Sequence, residues 1–503
     1  MDDLEGSAAT KAGTQMVEHK PQDFALPVGS ADYAVLERKL VRKIDLRLMP
    51  VLVFMIILNY LDRQALPNAR LQGLETDLGL KDEEYNTAIS VLFAGYIGLQ
   101  IPSNLLLTRV RPSIYLPVTM ALWGVVSAST AAVEDFHELV VSRFFLGLLE
   151  APFFPGALFL LSSWYTPREL ATRTAVLYAG SLLSGGFGGL VGAGVEYGLS
   201  GVRGLESWRW LFIIEGAVTV AFSLMAIFIL PDFPSTTKWL SEEEKLVAVH
   251  RLRAHSGSAD EKRGPIFQGL IMALADYKVW LLAGVVILKT SAAAVTSFVP
   301  TLVKTFGYDS VDSLLLVAPP YVFATIVSLA VSLSSDRFGE RYFHLVTPLA
   351  VGMIGFIIGA TTHSLAPRYV SLFLMLGGVY GSFNVTYAWV SSTLPRPLEK
   401  RAAAFAIINV VGNLAQIYSP YLYDKKTGPQ YLPAMIANTV FVFASISCAT
   451  VLYYCLRREN KKLEAAEENQ PEEYEDNSGK PQDIVQNGPG GTLQLSRGFR
   501  YTL

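Results

Sequence analysis

Four charged residues within apolar sequence are the residues of this chain best suited to chemistry. Asp62 and Arg63 directly follow one apolar run, and Arg143 and Glu150 lie within another. A bare charge in hydrocarbon costs about 2.5–3.5 kcal/mol on insertion scales, so such residues are rare unless they pair, face a water-filled cavity or bind a ligand. Two acids and two arginines in one half of the chain therefore predict an anion site coupled to protons.

The spacing of these residues supports that interpretation. Arg143 and Glu150 are two helical turns, or about 10 Å, apart on one helix face. Arginine stays protonated and can hold an anion permanently, whereas a carboxylate in a low-dielectric cavity can take up a proton near neutral pH. The alternative is that Arg143 and Glu150 neutralise each other as a structural pair. Asp62 and Arg63 could also mark the outer end of their span, but their depth of about 24 Å from a helix start near Arg47 favours a site.

The second half of the chain carries less charge and more neutral polar residues. Lys289 lies within an apolar run and is predicted to be a second cation for the substrate, unless it extends its charge toward water or pairs with an acid. The other candidates are Asn384, Tyr387 and Trp389 in the tenth run and Asn409, Asn413 and Gln416 in the eleventh. The residues of the eleventh run recur at helical spacing, which predicts either a polar lining or packing between helices. Glu215 is expected to have a structural partner.

Composition indicates how these residues are positioned. The chain is 51% hydrophobic and 17% charged, whereas soluble proteins carry about 25% charged residues. Apolar runs of about 20 residues are long enough to cross about 30 Å of hydrocarbon. They fall at 48–68, 86–107, 114–133, 138–162, 174–198, 209–230, 279–301, 313–333, 343–361, 369–392, 402–422 and 431–456. The fold class is therefore an all-α polytopic membrane protein, with twelve transmembrane helices in two six-helix bundles.

The remaining segments complete the domain organisation. We predict a cytoplasmic arm (1–45), an N-terminal bundle (46–230), a cytoplasmic linker (231–277), a C-terminal bundle (278–457) and a mostly disordered tail (458–503). Lys and Arg concentrate in alternate loops and at both ends, which predicts that both termini are cytoplasmic. Ser241 and Glu244 form a capping-box pattern that should begin a short linker helix. A net charge of −3 gives no reason to expect a nucleic-acid partner.

Two similar segments indicate that the bundles are duplicates. Ser162-Ser-Trp-Tyr-Thr-Pro-Arg168 and Ser391-Ser-Thr-Leu-Pro-Arg396 each close the fourth span of their half. Duplicated halves usually hold the substrate between them near the bilayer midplane.

A loop motif in the second half points to a family. The sequence Asp336-Arg337-Phe-Gly339-Glu-Arg341 resembles the cytoplasmic loop motif of the major facilitator superfamily, whose charges latch helices in one conformational state. The counterpart in the first half, 108–112, lacks the aspartate. A plain positively charged loop is the alternative interpretation.

The fourth span carries a more specific resemblance. Arg143-Phe-Phe-Leu-Gly-Leu-Leu-Glu150-Ala-Pro-Phe-Phe-Pro-Gly156, together with Asn59-Tyr-Leu-Asp-Arg63 and Trp208-Arg-Trp-Leu-Phe-Ile-Ile-Glu-Gly216, resembles the anion:cation symporter family. The similarity covers residues 38–458 and is closest to the fungal allantoate/nicotinate permease branch, including Phe499-Arg-Tyr501. It implies that Arg63 and Arg143 face a substrate carboxylate, that Asp62 and Glu150 couple protons, and that the chain lies in a fungal plasma membrane.

The sequence thus predicts a secondary active transporter that takes up a small organic anion, a nicotinate- or allantoate-like carboxylate, with protons by alternating access. It would work as a monomer in the lipid bilayer, driven by the proton gradient and without a cofactor. Export of an acidic secondary metabolite and nutrient sensing without transport remain alternatives. An enzyme is not expected, because the spans carry no nucleophile–base or metal-ligand spacing.

Overall fold

The computed structural model describes residues 31–107, 110–237, 239–255, 266–394, 398–468, 484–488, 491–495 and 500–503. Within these residues the chain forms twelve long helical segments at the twelve predicted positions. Eleven of them are long and apolar enough to cross a membrane. The twelfth, Asp82–Leu107 at the second predicted position, is not among those eleven. The prediction of an all-helical membrane fold is confirmed.

The first bundle contains spans one to six. These helices are Ala31–Leu71, Asp82–Leu107, Pro112–Ser129, Phe136–Glu150 continued by Phe153–Ser162, Pro167–Leu199 and Ser207–Ile229. The fourth span is interrupted directly after Glu150, where Pro152 and Pro155 lack backbone donors, as the sequence predicts. The first helix is much longer than its apolar run, since it begins at Ala31.

The second bundle contains spans seven to twelve. Its helices are Tyr277–Ala293 continued by Ala294–Phe298 and Val299–Lys304, Ser310–Leu315 continued by Ala318–Phe338, Tyr342–Thr361, Leu365–Gly381 continued by Phe383–Thr393, Leu398–Tyr418 continued by Ser419–Leu422, and Leu432–Glu468. The same three pairs of helices pack together in both bundles: the first with the fifth, the second with the fourth and the third with the sixth. This repeated packing agrees with the predicted duplication.

Short elements connect and flank the bundles. The linker forms helices Glu242–His255 and Ile266–Ala275. The first begins with the predicted capping box, in which the Glu244 amide donates to Ser241 Oγ over 3.2 Å. Further short helices are Leu74–Asp77, Thr130–Ala132, Val202–Gly204 and Lys425–Thr427, and the strands Ile484–Gly488 and Gly491–Leu495 pair antiparallel. The last span continues as a helix to Glu468 and so extends into the segment predicted to be a tail. Residues 469–483, 489–490 and 496–499 of that segment lie outside the described residues.

The two bundles are held together at the face opposite Ala31 and residues 500–503. This face is here called the distal face, and the first span ends and the eighth begins there. Polar contacts across this face join Ser310 Oγ to the Leu71 carbonyl over 3.1 Å and Thr87 Oγ1 to the Tyr421 hydroxyl over 2.9 Å. The fifth and eighth spans also pack closely there. The described conformation is therefore closed at the distal face.

A glycine permits this close packing. A Cβ atom on Gly189 of the fifth span would lie 2.7 Å from the carbonyl oxygen of Leu314 in the eighth span. We expect Gly189→Ala to push these helices apart, at an overpacking cost of about 1–3 kcal/mol, and to favour conformations open at the distal face. Cross-linking between cysteines placed at Thr87 and Tyr421 should then decrease. Gly194→Ala is the matched control, because a Cβ there meets nothing within 4 Å; equal cross-linking in both variants contradicts the prediction.

Residues 500–503 dock against the ends of four helices of the second bundle. The Asn460 side chain holds the Tyr501 backbone through two hydrogen bonds, of 2.9 Å to its carbonyl oxygen and 2.8 Å from its amide. Burial, reinforced by the nearby Asp276 carboxylate, raises the pKa of Tyr501 to about 12, so its neutral hydroxyl can accept a hydrogen bond from the Lys278 ammonium. The indole nitrogen of Trp389 donates to the Thr502 carbonyl over 3.0 Å. Trp389, predicted as a lining residue, therefore serves to hold this segment.

Docking of this segment should depend on Asn460. Asn460→Ala removes both side-chain hydrogen bonds and leaves the buried Tyr501 backbone without these partners, at a cost of about 1–3 kcal/mol for each group. A cysteine placed at Thr502 should then react faster with a water-soluble maleimide. Lys461→Ala, a substitution at the exposed neighbouring position, should leave the labelling rate unchanged. Equal labelling of the two variants contradicts the assignment.

Candidate functional site

A cavity of about 160 Å³ lies between the two bundles. It is lined by all seven residues that the sequence predicts to bind substrate: Arg63, Arg143, Lys289, Asn384, Tyr387, Asn409 and Asn413. Gln416 also lines it. The polar residues of the eleventh span thus share one face, directed at the cavity, and Asn413 donates to Asn409 over 2.6 Å. The structure brings charged groups of the first bundle and neutral polar groups of the second to a common space.

Arg63 forms an ion pair with Glu150. The Arg63 Nε lies 2.6 Å from Glu150 Oε2, and the Glu150 side chain is fully buried while that of Arg63 is 15% exposed. The guanidinium carbon lies 5.0 Å from the ring centre of Tyr60 and 4.9 Å from that of Tyr96. Aromatic faces attract cations, so these rings fix the guanidinium at the cavity wall. Glu150 therefore pairs with an arginine of the first span, and the alternative of an Arg143–Glu150 pair within the fourth span is not observed.

Arg143 also reaches the cavity wall, but with weaker partners. Its Nη1 donates to the backbone carbonyl of Asp62 over 3.4 Å, and its Nε has no hydrogen-bond partner among the described residues. The residue is 2% exposed. A cation so deeply buried and so poorly paired is available to an anion in the cavity.

Glycine 147 sets the position of Arg143 and Glu150. A Cβ atom on Gly147 would lie 1.9 Å from the carbonyl oxygen of Leu92 in the second span. The absence of a side chain lets the fourth span pack against the second, and this contact orients the helix face that carries Arg143 and Glu150. The glycine in the quoted fourth-span motif thus has a packing role.

Asp62 lies behind the cavity wall and is fully buried. Its carboxylate accepts hydrogen bonds from Ser127 Oγ at 2.6 Å, Trp123 Nε1 at 3.2 Å and Thr219 Oγ1 at 3.1 Å. These donors belong to the third and sixth spans, so Asp62 ties the first span to both. Glu215, expected to have a structural partner, is buried without a hydrogen-bond partner for either oxygen among the described residues.

Lys289 is the charged residue that the second bundle contributes to the cavity. Its Nζ donates to Thr386 Oγ1 over 2.7 Å and lies 4.8 Å from the ring centre of Phe383. In the part of the chain that the structure describes, it forms no ion pair with a carboxylate, so the predicted alternative of an acid partner is not observed. Lys289 is 1% exposed.

The predicted gating loop lies at the other end of the eighth span, away from the cavity. Arg341 Nη1 contacts Asp336 Oδ1 over 2.7 Å and Ser335 Oγ over 2.9 Å. Gly339 ends the helix with φ +65, a left-handed conformation that glycine adopts readily, and Arg337 is exposed. The backbone amide of Arg341 also donates to the Leu503 carbonyl over 2.7 Å, so this loop contacts the docked residues 500–503.

Aromatic side chains make up a part of the cavity that the sequence analysis missed. Tyr178 of the fifth span meets Phe383 of the tenth at 4.8 Å between ring centres and Tyr387 at 6.4 Å. Tyr60, Phe93, Tyr321 and Tyr380 line the same space. Tyrosines within apolar runs were the available signal, since a buried hydroxyl usually needs a partner.

Comparison with known proteins places this architecture in a family. The sequence profile of the Major Facilitator Superfamily matches residues 52–420. The chain belongs to this superfamily of membrane transporters.

Individual proteins agree with this assignment. The chain is 34% identical over 440 residues to the MFS-type transporter cnsO of Penicillium expansum, covering 84% of each chain. It is 31% identical over 387 residues to a putative tartrate transporter of Agrobacterium vitis, covering 76% of this chain and 84% of that one. The crystal structure of a bacterial homolog of the human lysosomal transporter Spinster, inward-facing and unoccupied, aligns with a TM-score of 0.63 at 17% identity, over 84% of this chain and 98% of that one; this similarity shows the fold alone.

Proposed function

We propose that the protein is a proton-coupled transporter of a small organic anion, which binds in the cavity between the bundles. The observation that carries the proposal is the Arg63–Glu150 ion pair at the cavity wall, with Nε and Oε2 2.6 Å apart. Such a pair can exchange partners: when Glu150 takes up a proton it releases the guanidinium, which then binds a carboxylate from the cavity. The name of the putative tartrate transporter, an organic-anion carrier by that name, supports the substrate class.

The surrounding residues support this exchange. Arg143 lines the same cavity, so a carboxylate near Arg63 also experiences a second fixed positive charge. Fully buried Glu150 loses its counter-charge when Arg63 turns to the substrate, and a buried carboxylate without a partner is stable only as the neutral acid. Proton uptake and anion binding therefore favour each other, which is the requirement for symport.

Alternating access follows from the two bundles. The described conformation is closed at the distal face by contacts such as Ser310 to Leu71. With both termini in the cytoplasm of a fungal cell, the distal face is the outer one and the opposite opening leads to the cytoplasm. We place the protein in the plasma membrane, acting as a monomer in the direction of uptake.

Uptake measurements test the proposal. Yeast cells without their own carboxylate permeases, expressing the chain, should accumulate labelled nicotinate, allantoate or tartrate faster at acidic than at neutral external pH, and a protonophore should abolish the difference. An uptake rate that does not change with external pH contradicts proton coupling. Cells that express the chain can also be preloaded with a probe. If they lose it faster than empty-vector cells do, and do not accumulate it, the result supports the export alternative instead.

A further inference from the structure

The two bundles contribute positive charge to the cavity from opposite sides. Arg63 and Arg143 belong to the first bundle and Lys289 to the second, and all three line one cavity of about 160 Å³. From these placements, and resting on the proposed function, we infer that the substrate is a compact dianion, with one acid group bound by the arginines and the other by Lys289.

The immediate contacts of Lys289 are compatible with an ammonium group. Thr386 Oγ1 donates its single proton to the Ser382 carbonyl over 2.7 Å. The hydroxyl therefore turns a lone pair toward Lys289 Nζ, which must act as the donor in their 2.7 Å contact. The second contact of the nitrogen is the face of the Phe383 ring, which attracts a cation. Neither neighbour carries a negative charge, so a carboxylate bound in the cavity would be the group that stabilises Lys289 as the ammonium.

A charge count around the cavity gives the preferred charge of the substrate. The cations are Arg63, Arg143 and Lys289, and the nearby acids are Glu150 and Asp62. Arg63, Arg143 and Lys289 line the cavity, and none of its lining residues in the described part of the chain is a carboxylate. Once Glu150 is protonated, the three cations exceed the negative charge that nearby Asp62 can supply by at least two. Uncompensated charge is costly in a low-dielectric interior, and a dianion compensates more of it than a monoanion does.

The cavity also limits the size and shape of the ligand. Its volume is close to that of a cavity of about 150 Å³ that accommodates one benzene molecule. Asn384, Asn409 and Asn413 line the side contributed by the second bundle and add neutral amide groups to the cavity wall. A small dicarboxylate with its acid groups at opposite ends satisfies these conditions. It would also attract the two bundles toward each other, because each bundle holds one end.

Matched ligand pairs test this inference on the purified full chain. Dissociation constants are measured for succinate against succinamate and for isophthalate against 3-carbamoylbenzoate, at a pH where both carboxyl groups of each diacid are ionised, so that the members of a pair differ by one carboxylate. In at least one pair the dianion should bind at least about tenfold more tightly, equivalent to 1.4 kcal/mol. Lys289→Met should abolish that preference and Lys289→Arg should retain it. Lys278→Met, in the same span but outside the cavity, should leave it unchanged.

The outcomes separate the two proposals. If the unaltered protein binds both members of each pair with equal affinity, the inference of a dianionic substrate is contradicted but the proposed anion site is not. This comparison needs no variant. A Lys289→Met protein that weakens both members of a pair equally also contradicts the dianion. Binding of none of the four compounds contradicts the anion site itself and the dianion with it.

Discussion

Glu150→Gln is expected to abolish the pH dependence of accumulation while preserving exchange of substrate across the membrane. Glutamine resembles the protonated acid in size and charge, so Arg63 loses its ion pair, of 2.6 Å in the unaltered protein, and stays free for the anion. The anion site is then always available, but the proton can no longer be carried. In liposomes, uptake driven by a pH gradient should fall at least about tenfold, or 1.4 kcal/mol, while counterflow against preloaded substrate continues.

A second acid of the first bundle provides the control. Glu196 is half-buried, accepts a hydrogen bond from Ser207 and does not line the cavity. Glu196→Gln should therefore retain gradient-driven uptake. A Glu150→Gln protein that still accumulates substrate in response to a pH gradient contradicts the exchange of partners at Arg63, and one that loses counterflow as well indicates that Glu150 is needed to build the anion site.

Asp62→Ala is expected to cause the largest loss of stability in the first bundle. The substitution leaves Ser127, Trp123 and Thr219 without their shared acceptor in a fully buried position. Each buried donor that loses its partner costs about 1–3 kcal/mol, and the missing side chain adds a cavity. The melting temperature of the purified protein in detergent should fall by several degrees.

Asp62→Asn distinguishes the hydrogen bonds from the charge. An asparagine oxygen can still accept from Ser127 or Thr219, so its melting temperature should lie between those of the alanine variant and the unaltered protein. Glu215→Gln is the matched control, because Glu215 is buried nearby without a hydrogen-bond partner among the described residues. It should leave the melting temperature unchanged or raise it. Equal losses for Asp62→Ala and Glu215→Gln contradict the role assigned to Asp62.

The sequence was sufficient for the class of fold and for the two arginines that line the cavity from the first bundle. Long apolar runs and charges placed inside them are local patterns, and they reveal both the spans and Arg63 and Arg143. The pairing of Arg63 with Glu150 was not predictable in this way, because it depends on how the first and fourth spans pack. Within one helix, Arg143 and Glu150 form the nearer pair by spacing, yet the observed partner of Glu150 is 87 residues away.

Other parts of the site required the packed structure. Asp62 was predicted to couple protons next to Arg63. Consecutive residues on a helix point in different directions. Arg63 therefore lines the cavity while Asp62 faces the third and sixth spans. The contact of Tyr178 with Phe383 joins different bundles, so tyrosines within apolar runs could indicate buried hydroxyl groups but not which rings would meet. Trp389 was misassigned because its partner is residue 502, which lies more than 100 residues away.

Closure at the distal face has a consequence for inhibition. Because contacts such as Thr87 to Tyr421 hold the bundles together there, a blocker designed for this conformation must arrive from the opposite side, where residues 500–503 lie. A compound with a dicarboxylate head and a bulky tail would act as a wedge, keeping the halves apart behind it. Such a compound, if it does not permeate the bilayer, should inhibit transport in vesicles that expose residues 500–503 and have no effect on vesicles of the opposite sidedness.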